Sequence, residues 1–258
     1  LEKEARTPVY DMAPAMGSTG PMRIDPIYNL HHLEDLAINY SHLQTVINRI
    51  ASQTVAKGFR IEQTVDSPSE DQKLLLEELI KDPSNGDSDI TGEEFVKALI
   101  RQLEVFDDAW VSIVYDYVKD ESGRLLGKKV SQLWVEDSKQ MRYNTDRFGK
   151  FQKENKFCPT CRRGMNGTAC SECATELVPI AYTFEDHEGD IPFARDEIIH
   201  FNKYSSTARL YGESPIVGLS KKIETALAIE NYQNKLFRLE RPPKGFLDIP
   251  NLDETALN

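Results

Sequence analysis

Long apolar runs are missing from this chain. No stretch approaches the roughly 18 consecutive apolar residues of a membrane-spanning helix, and no charged-then-apolar leader precedes a small-residue cleavage site. Neither a membrane partner nor export is therefore expected. Also missing are the G-x-x-x-x-G-K-[S/T] phosphate loop, the G-x-S-x-G nucleophile elbow and the H-E-x-x-H metal pair. Without them the chain is not expected to be a phosphate-loop ATPase, a hydrolase or any other enzyme, and no catalytic residue is assigned. Positive charge is short as well: 31 Lys and Arg against 42 Asp and Glu leave a net charge of -11 and a pI of about 5.0. A free-standing nonspecific DNA binder usually carries a basic footprint, so that class is disfavoured. What is present, 258 residues with 40% hydrophobic, suffices to bury a core in one large or two small domains.

Cysteine is scarce, and all four fall in one short segment as two C-x-x-C pairs, Cys158 with Cys161 and Cys170 with Cys173. Two such knuckles supply four thiolates at the corners of a tetrahedron, which suits a closed structural Zn²⁺ site. Disulfides would fit an exported protein, and a single pair at a helix start would fit thioredoxin-like chemistry; two pairs facing each other fit a metal better. Four sulfurs leave no open position for water, which argues against hydrolytic zinc chemistry. Lys153, Lys156, Arg162 and Arg163 lie close by. They either offset the thiolate charge or contact phosphate, and the knuckle either staples a loop too small for a core or marks nucleic-acid machinery.

The C-terminal third is the most informative. Glu197 and His200 close a predicted strand, Tyr211-Gly212-Glu213-Ser214-Pro215 forms a glycine-bearing loop, and an amphipathic run follows to Arg241. Ser214 is positioned as an N-cap and Pro215 as the first helical residue, where its missing N–H costs nothing. Ile216, Leu219, Ile223, Leu227, Leu236 and Phe237 recur near the helical period, and Pro242 with Pro243 ends the run. About 28 residues at about 1.5 Å each predict a rod on the order of 40 Å, which spans a domain or packs against copies of itself. A long core helix behind a turn is the plainer account of the same pattern.

These motifs resemble the portal proteins of tailed viruses: an acidic residue and a His closing a strand, Tyr-Gly-x-Ser-Pro opening a helix, then Pro-x-Gly-hydrophobic, here Pro243-Lys244-Gly245-Phe246. The resemblance is close over residues 196–247 and looser from Ser41, where Ile47-Asn48-Arg49-Ile50-Ala51 is similar to the helix core of the portal amino-terminal region. Residues 1–26, rich in Pro, Gly, Met and Ser and without periodicity, read as a flexible or wrapping arm; the resemblance implies a wing-like α+β domain at 27–213, a long stem helix at 214–241 and the start of a clip-like region at 242–258. The cysteine knuckle, at 151–180, departs from the family pattern and reads as an embellishment on the outer face or a contact with a neighbouring subunit. The return stem helix and crown are not in the sequence, and the chain reads as part of a longer polypeptide.

The rest of the chain supports α+β rather than a doubly wound fold. A helix is expected from Ser41 with Leu43, Val46, Ile47, Ile50 and Ala51 on one face, ended by Lys57 and Gly58. Capping boxes at Ser67 to Glu70 and Thr91 to Glu94 open two helices joined by a turn at 82–86. Strands at 110–117, 125–135 and 141–143 then follow as hairpins, with further strands at 151–157 and 177–184 flanking the knuckle. His31 and His32, adjacent on a helix, point to different faces and are poor partners for one metal. His200 reads as a buried hydrogen-bonded residue, and Glu185, Asp186, His187 and Glu188 as a charged hairpin turn. Asn39 and Asn166 match the glycosylation pattern by coincidence.

The resemblance implies a homo-oligomeric ring, a dodecamer, at one capsid vertex of the virion, assembled in the host cytoplasm. Its implied partners are the packaging motor (terminase), the major capsid and scaffold proteins, the neck adaptors and double-stranded DNA passing through. Tyr211, Gly212, Ser214 and Pro215 are the expected loop-to-stem motif, and Lys221 and Lys222 the candidate DNA or intersubunit contacts. Bases outnumber acids across 201–245, whereas acids dominate 66–108. Such mixed walls suit a conduit through which DNA slides without sticking, since each neutralised phosphate adds affinity; a merely solvated acidic surface is the other account. The alternative function is a zinc-ribbon nucleic-acid-binding module of a larger DNA-processing enzyme.

Overall fold

A computed structural model describes residues 23–26, 28–58, 70–119, 125–145, 150–151, 153, 155–165, 167–173, 175–187, 189–203 and 210–238. At its start, β1 (Arg23–Ile24) gives the tail of the expected arm a fixed place, paired antiparallel with Tyr143 and Asn144. Asn29 then caps α1 (Leu30–Asn39) by accepting the His32 N–H at 3.2 Å, and the helix buries Leu30, Leu33, Leu36 and Ala37. The next helix, α2 (Ser41–Ala56), starts at the expected residue but turns a narrower stripe inward, Ile47, Ala51 and Val55. Val46 and Ile50, expected on that face, are 53% and 37% exposed, because helical spacing ranks them at the rim of the stripe. Gly58, at φ 69, supplies the left-handed residue after the helix.

The helical pair is α3 (Glu70–Lys81) and α4 (Gly92–Phe106). The first capping box lies largely outside the described residues; the second is present in both directions. Thr91 Oγ1 accepts the Glu94 N–H at 3.3 Å and the Glu94 carboxylate accepts the Thr91 N–H at 3.0 Å, which holds its carboxyl below the ordinary value. Buried Phe95 and Phe106 lead the inner face of α4, which packs on α2 and on the strand that follows. Asp107 ends α4 in the left-handed region at φ 61, and its N–H bonds Leu103 O at 3.1 Å.

The chain passes directly from Asp107 into β2 (Asp108–Lys119), which pairs antiparallel with β3 (Leu125–Glu136). After β4 (Met141–Asn144) comes a small excursion with two-residue strands β5 (Lys156–Phe157), β6 (Gly164–Met165) and β7 (Val178–Pro179) in the order β6-β5-β7. The expected strand at 151–157 is thus shorter, with a lone bridge between Thr145 and Phe151 ahead of it. The expected strand at 177–184 is divided into β7 and β8 (Tyr182–Asp186), because Ile180 bonds sideways to Asn155 O and Ala181 to Phe193 O. A hairpin joins β8 to β9 (Gly189–Phe193), giving a four-stranded sheet in the order β1-β4-β8-β9; β10 (Ile198–Asn202) returns to pair with β2, giving β10-β2-β3. The fold is a mixture of helices and antiparallel sheets with a C-terminal helix.

Wholly buried Trp110 sits where the elements meet, among Met141, Tyr143, Ala181, Tyr182, Ile198 and Tyr211. Its ring stacks on His200 at 3.9 Å and meets Tyr143 and Tyr182 edge-on at 5.1 and 5.5 Å. Residues 1–218 and 219–258 divide into two units. In the second, α5 (Ser220–Arg238) starts later than Pro215, after a 3-10 turn at Val217–Leu219. The delay follows from where Ser214 is committed: its hydroxyl donates to Val105 O and accepts the Ile216 N–H while its carbonyl takes the Val217 N–H, closing a turn rather than a helix. The expected stop at Pro242 lies outside the described residues, and among the described residues no helix is long and apolar enough to cross a membrane.

One carboxylate works against the sheet. Burial pushes the Glu136 carboxyl up, against the pull of the Ser112 hydroxyl that donates to it at 2.5 Å. A raised folded-state pKa makes ionisation cost stability above that pKa and nothing below about pH 4.3, the unfolded range. Glu136→Gln should accordingly raise the melting temperature at pH 7, with the gain shrinking toward zero as pH falls to 4; thermal melts across pH check this.

Candidate functional site

Two adjacent carboxylates at the α4–β2 junction organise the region that the sequence singled out. The left-handed turn at Asp107 aims its side chain back across the end of α4, where Oδ1 accepts the Lys203 N–H at 3.1 Å and Oδ2 accepts the Glu213 N–H at 3.0 Å. Asp108 receives the Gly212 N–H on both oxygens, at 3.0 and 2.9 Å. Ser214 Oγ donates to Val105 O at 2.5 Å and accepts from Ile216. Thus Gly212, Glu213 and Ser214 each hold the end of α4, and the loop is seated by hydrogen bonds spanning more than a hundred residues of chain.

Gly212 is glycine for a steric reason. A Cβ there would stand 2.4 Å from Asp107 O and 2.5 Å from its Oδ2, inside van der Waals contact with backbone that cannot swing away. Tyr211 is buried, its hydroxyl accepting the Tyr143 N–H at 3.2 Å, whereas Pro215 is exposed.

His200 closes the seat from the β10 side. Its Nε2 lies 2.6 Å from Asp108 Oδ1 and its Nδ1 2.8 Å from the Tyr143 hydroxyl. A carboxylate only accepts, so Nε2–H donates to Asp108, and in the neutral ring Nδ1 accepts from the Tyr143 hydroxyl. Each polar atom in this Tyr–His–Asp chain is spent on a neighbour, which makes it a lock for the loop. The expectation for His200, a buried hydrogen-bonded residue, agrees with this geometry. Asp107, Asp108 and Tyr143 escaped the sequence reading; the one available signal was an Asp pair directly between a capped helix and a strand.

The second site lies in the β5–β7 excursion. Cys158, Cys161, Cys170 and Cys173 bring their sulfurs within 4.8 Å of one another, with separations of 3.3 Å (Cys158 to Cys173), 3.6 Å (Cys161 to Cys173) and 3.9 Å (Cys161 to Cys170). None is disulfide-bonded. A tetrahedral metal about 2.3 Å from each sulfur requires S···S separations of about 3.8 Å, so the donor set fits such an ion. The Cys161 and Glu172 N–H groups donate to Cys158 and Cys170 sulfurs at 3.4 Å, as donors around thiolate ligands do. Leu177 and Met165 pack around the cluster.

The nearby arginines both form ion pairs within the protein, Arg162 toward the interior and Arg163 at the surface. Arg162 pairs with buried Glu197 at 2.8 Å and Arg163 with Glu172 at 2.8 Å. His31 and His32 are both exposed on α1, and Asp186 and Gly189 pair in the β8–β9 turn as a charged hairpin. Lys221 and Lys222 are exposed in the first turn of α5, which carries no acidic residue there and has Lys235 and Arg238 in its last turn.

The chain belongs to the phage portal protein family, which it matches over residues 41–258. Among solved structures it resembles a chain in the neck of an empty GTA particle computed with C6 symmetry, with TM-score 0.55 and 15% identity, covering 93% of this chain and 54% of that one. It also resembles a chain in the neck of the native GTA particle computed with C12 symmetry, with TM-score 0.56 and 14% identity, covering 94% and 56%. A third, from the virion of the native gene transfer agent particle, has TM-score 0.56 and 15% identity over 90% of this chain and 50% of that one. The chain spans about half the length of these relatives. No curated protein sequence matches it.

The loop seat predicts a size-dependent penalty. Gly212→Ala should destabilise the protein by about 1–3 kcal/mol through overpacking, and Ser214→Ala by about 1 kcal/mol through the lost hydrogen bond. Urea unfolding midpoints for the two variants check both.

Proposed function

We propose that this chain is one subunit of a ring-shaped portal at a single capsid vertex, forming the channel through which double-stranded DNA is packaged and released. The observation that carries the reading is family membership over residues 41–258. The C6 and C12 symmetries at which the similar neck structures were computed support a homo-oligomeric ring, a dodecamer. The subunit works as structure and not as an enzyme. Its partners are further copies of itself, the packaging motor, capsid and scaffold proteins, neck adaptors and passing DNA, in a virion assembled in the host cytoplasm. Residues 1–26 serve as an arm, 27–213 as the wing, 214–241 as the stem segment and 242–258 as the start of the clip. Family membership argues against the alternative of an enzyme's zinc-ribbon module.

Tyr211, Gly212, Ser214 and Pro215 set the geometry at which the chain leaves the wing for the stem. Cys158, Cys161, Cys170 and Cys173 hold a structural Zn²⁺, a role supported by the sulfur spacing and by a donor set that leaves no place for water. The ion would supply cross-linking and no reaction chemistry; the chain's own contributions are the N–H donors from Cys161 and Glu172 and the closing turn from Cys158 to Arg162. Lys221 and Lys222 contact DNA or a neighbouring subunit. Cations in a first helical turn oppose the helix dipole, so helix stability does not account for them.

Native mass spectrometry of the full-length protein reads ring size and metal together. A ring of about a dozen copies with one zinc each is expected; a zinc-bearing monomer that stays monomeric with capsid and scaffold proteins present would overturn the portal reading. Lys221→Glu with Lys222→Glu should lower DNA packaging while leaving ring assembly intact, and unchanged packaging would refute the lysine assignment.

A further inference from the structure

Arg162 joins the cysteine cluster to the strand that carries His200. It follows Cys161 directly and stands at φ 55, a left-handed conformation that a non-glycine residue keeps only when its surroundings hold it. Its N–H bonds Cys158 O at 2.8 Å, closing the first knuckle, and Arg163 O takes the Cys158 N–H at 3.0 Å. The side chain then leaves the knuckle: Nη1 donates to Glu197 Oε2 at 2.8 Å and to Pro192 O at 3.2 Å. The guanidinium carbon lies 5.8 Å from the Phe157 ring centre and 5.4 Å from that of Phe193.

The partner carboxylate is buried. Glu197 is 2% exposed, and the same Oε2 takes the Ala194 N–H at 2.8 Å. Its main chain is fixed to β2 through the Ile113 N–H, which bonds Glu197 O at 2.7 Å. Glu197 immediately precedes β10, and His200 with its bond to Asp108 lies three residues further on.

We propose that Arg162 is a positioning residue through which the metal-loaded cysteine cluster holds Glu197, and with it β10 and the His200–Asp108 lock on the Gly212 loop. This rests on the reading of the cluster as a metal site. The physical argument is preorganisation. A free arginine loses much side-chain freedom in reaching a fixed carboxylate. One rooted in a turn cross-linked by four sulfurs is already presented to it. Without the ion the knuckle has only two-residue strands to hold its shape, the guanidinium withdraws, and a buried carboxylate loses the cation that balances its charge. The coupling is reciprocal: a latch that favours the closed knuckle also tightens its hold on the metal.

The test uses the full chain loaded with Co²⁺ or Zn²⁺ and then stripped, reading amide hydrogen exchange over 198–202 beside the Co²⁺–thiolate absorption band. In the wild type, metal should slow exchange in β10. Arg162→Met should keep the thiolate band, lose the metal dependence of β10 exchange, and bind metal about tenfold more weakly in chelator competition, as second-shell changes typically do. Arg162→Lys should restore part of both effects. Glu197→Gln, which keeps an acceptor for the Ala194 N–H without leaving a buried charge, should behave as Arg162→Met does and guards against misfolding as the explanation. A wild type that shows the thiolate band but has equal β10 exchange with and without metal overturns the coupling and leaves the metal site standing. So does an Arg162→Met protein that retains the full metal dependence. A wild type with no thiolate band overturns the metal reading and the coupling together.

Discussion

The seating of the Gly212 loop depends on two carboxylates at the junction of α4 and β2. Asp107 and Asp108 accept the backbone N–H groups of Lys203, Gly212 and Glu213 and the ring N–H of His200. Buried carboxylates are expensive unless they are well paired, and hydrogen bonds to a charged acceptor contribute roughly 1.5–3 kcal/mol each. These two are paired almost entirely with main-chain donors, which have no rotamers to lose. The result fixes backbone rather than side chains. The same contacts explain the glycine and the serine: one lets the loop approach the Asp107 carbonyl, and the other ties it to Val105.

Much of this architecture was legible in the sequence, for reasons that differ from element to element. The start of α2 at Ser41 and the Thr91 to Glu94 box are local signals, fixed by neighbours within a turn, and both appear at the predicted residues. Hairpin strands 108–119, 125–136 and 141–144 could likewise be read from alternation and turn residues. The start of α5 could not. Ser214 and Pro215 carry the right residue types for a helix start, but the serine hydroxyl is claimed by Val105 O, a hundred residues away, and the turn it closes delays the helix to Ser220. Asp107 and Asp108 were illegible for the same reason. Their partners lie near residue 200 and beyond, and nothing in an Asp pair announces which distant N–H groups it will meet. The four cysteines were fully legible because spacing alone dictates their convergence, whereas the inward turn of Arg162 depends on a left-handed backbone that sequence does not reveal.

The cysteine excursion and the aromatic core share a boundary at β9 and the Glu197 turn. Phe193 packs against the Trp110 cluster and also faces the Arg162 guanidinium, so the knuckle is anchored by an ion pair set against aromatic faces rather than by a core of its own. A segment whose strands are two residues long cannot be held by ladder hydrogen bonds. Its own buried cluster consists of cysteines with Leu177 and Met165 alongside, too few apolar groups to fold unaided. The proposed metal cross-link at the sulfurs and the charge latch at Arg162 therefore address two different deficits, internal shape and attachment.

Charge placement on α5 separates the requirements of folding from those of function. Lys235 and Arg238 in the last turn complement the carbonyl end of the helix, as stability alone would select. Lys221 and Lys222 in the first turn do the opposite, and both point into solvent in a protein whose net charge is -11. In an acidic protein, exposed cations that oppose a helix dipole gain nothing from their own fold. In a ring of identical subunits each such position is repeated around the axis, so a weak and screened attraction per lysine becomes a band of positive charge. On the proposed portal reading, the chain's net charge of -11 keeps the total attraction for a polyanion low enough for movement, because affinity grows with every phosphate neutralised. A conduit needs that balance, contact at a few positions and repulsion elsewhere, whereas a binding protein would extend the positive surface.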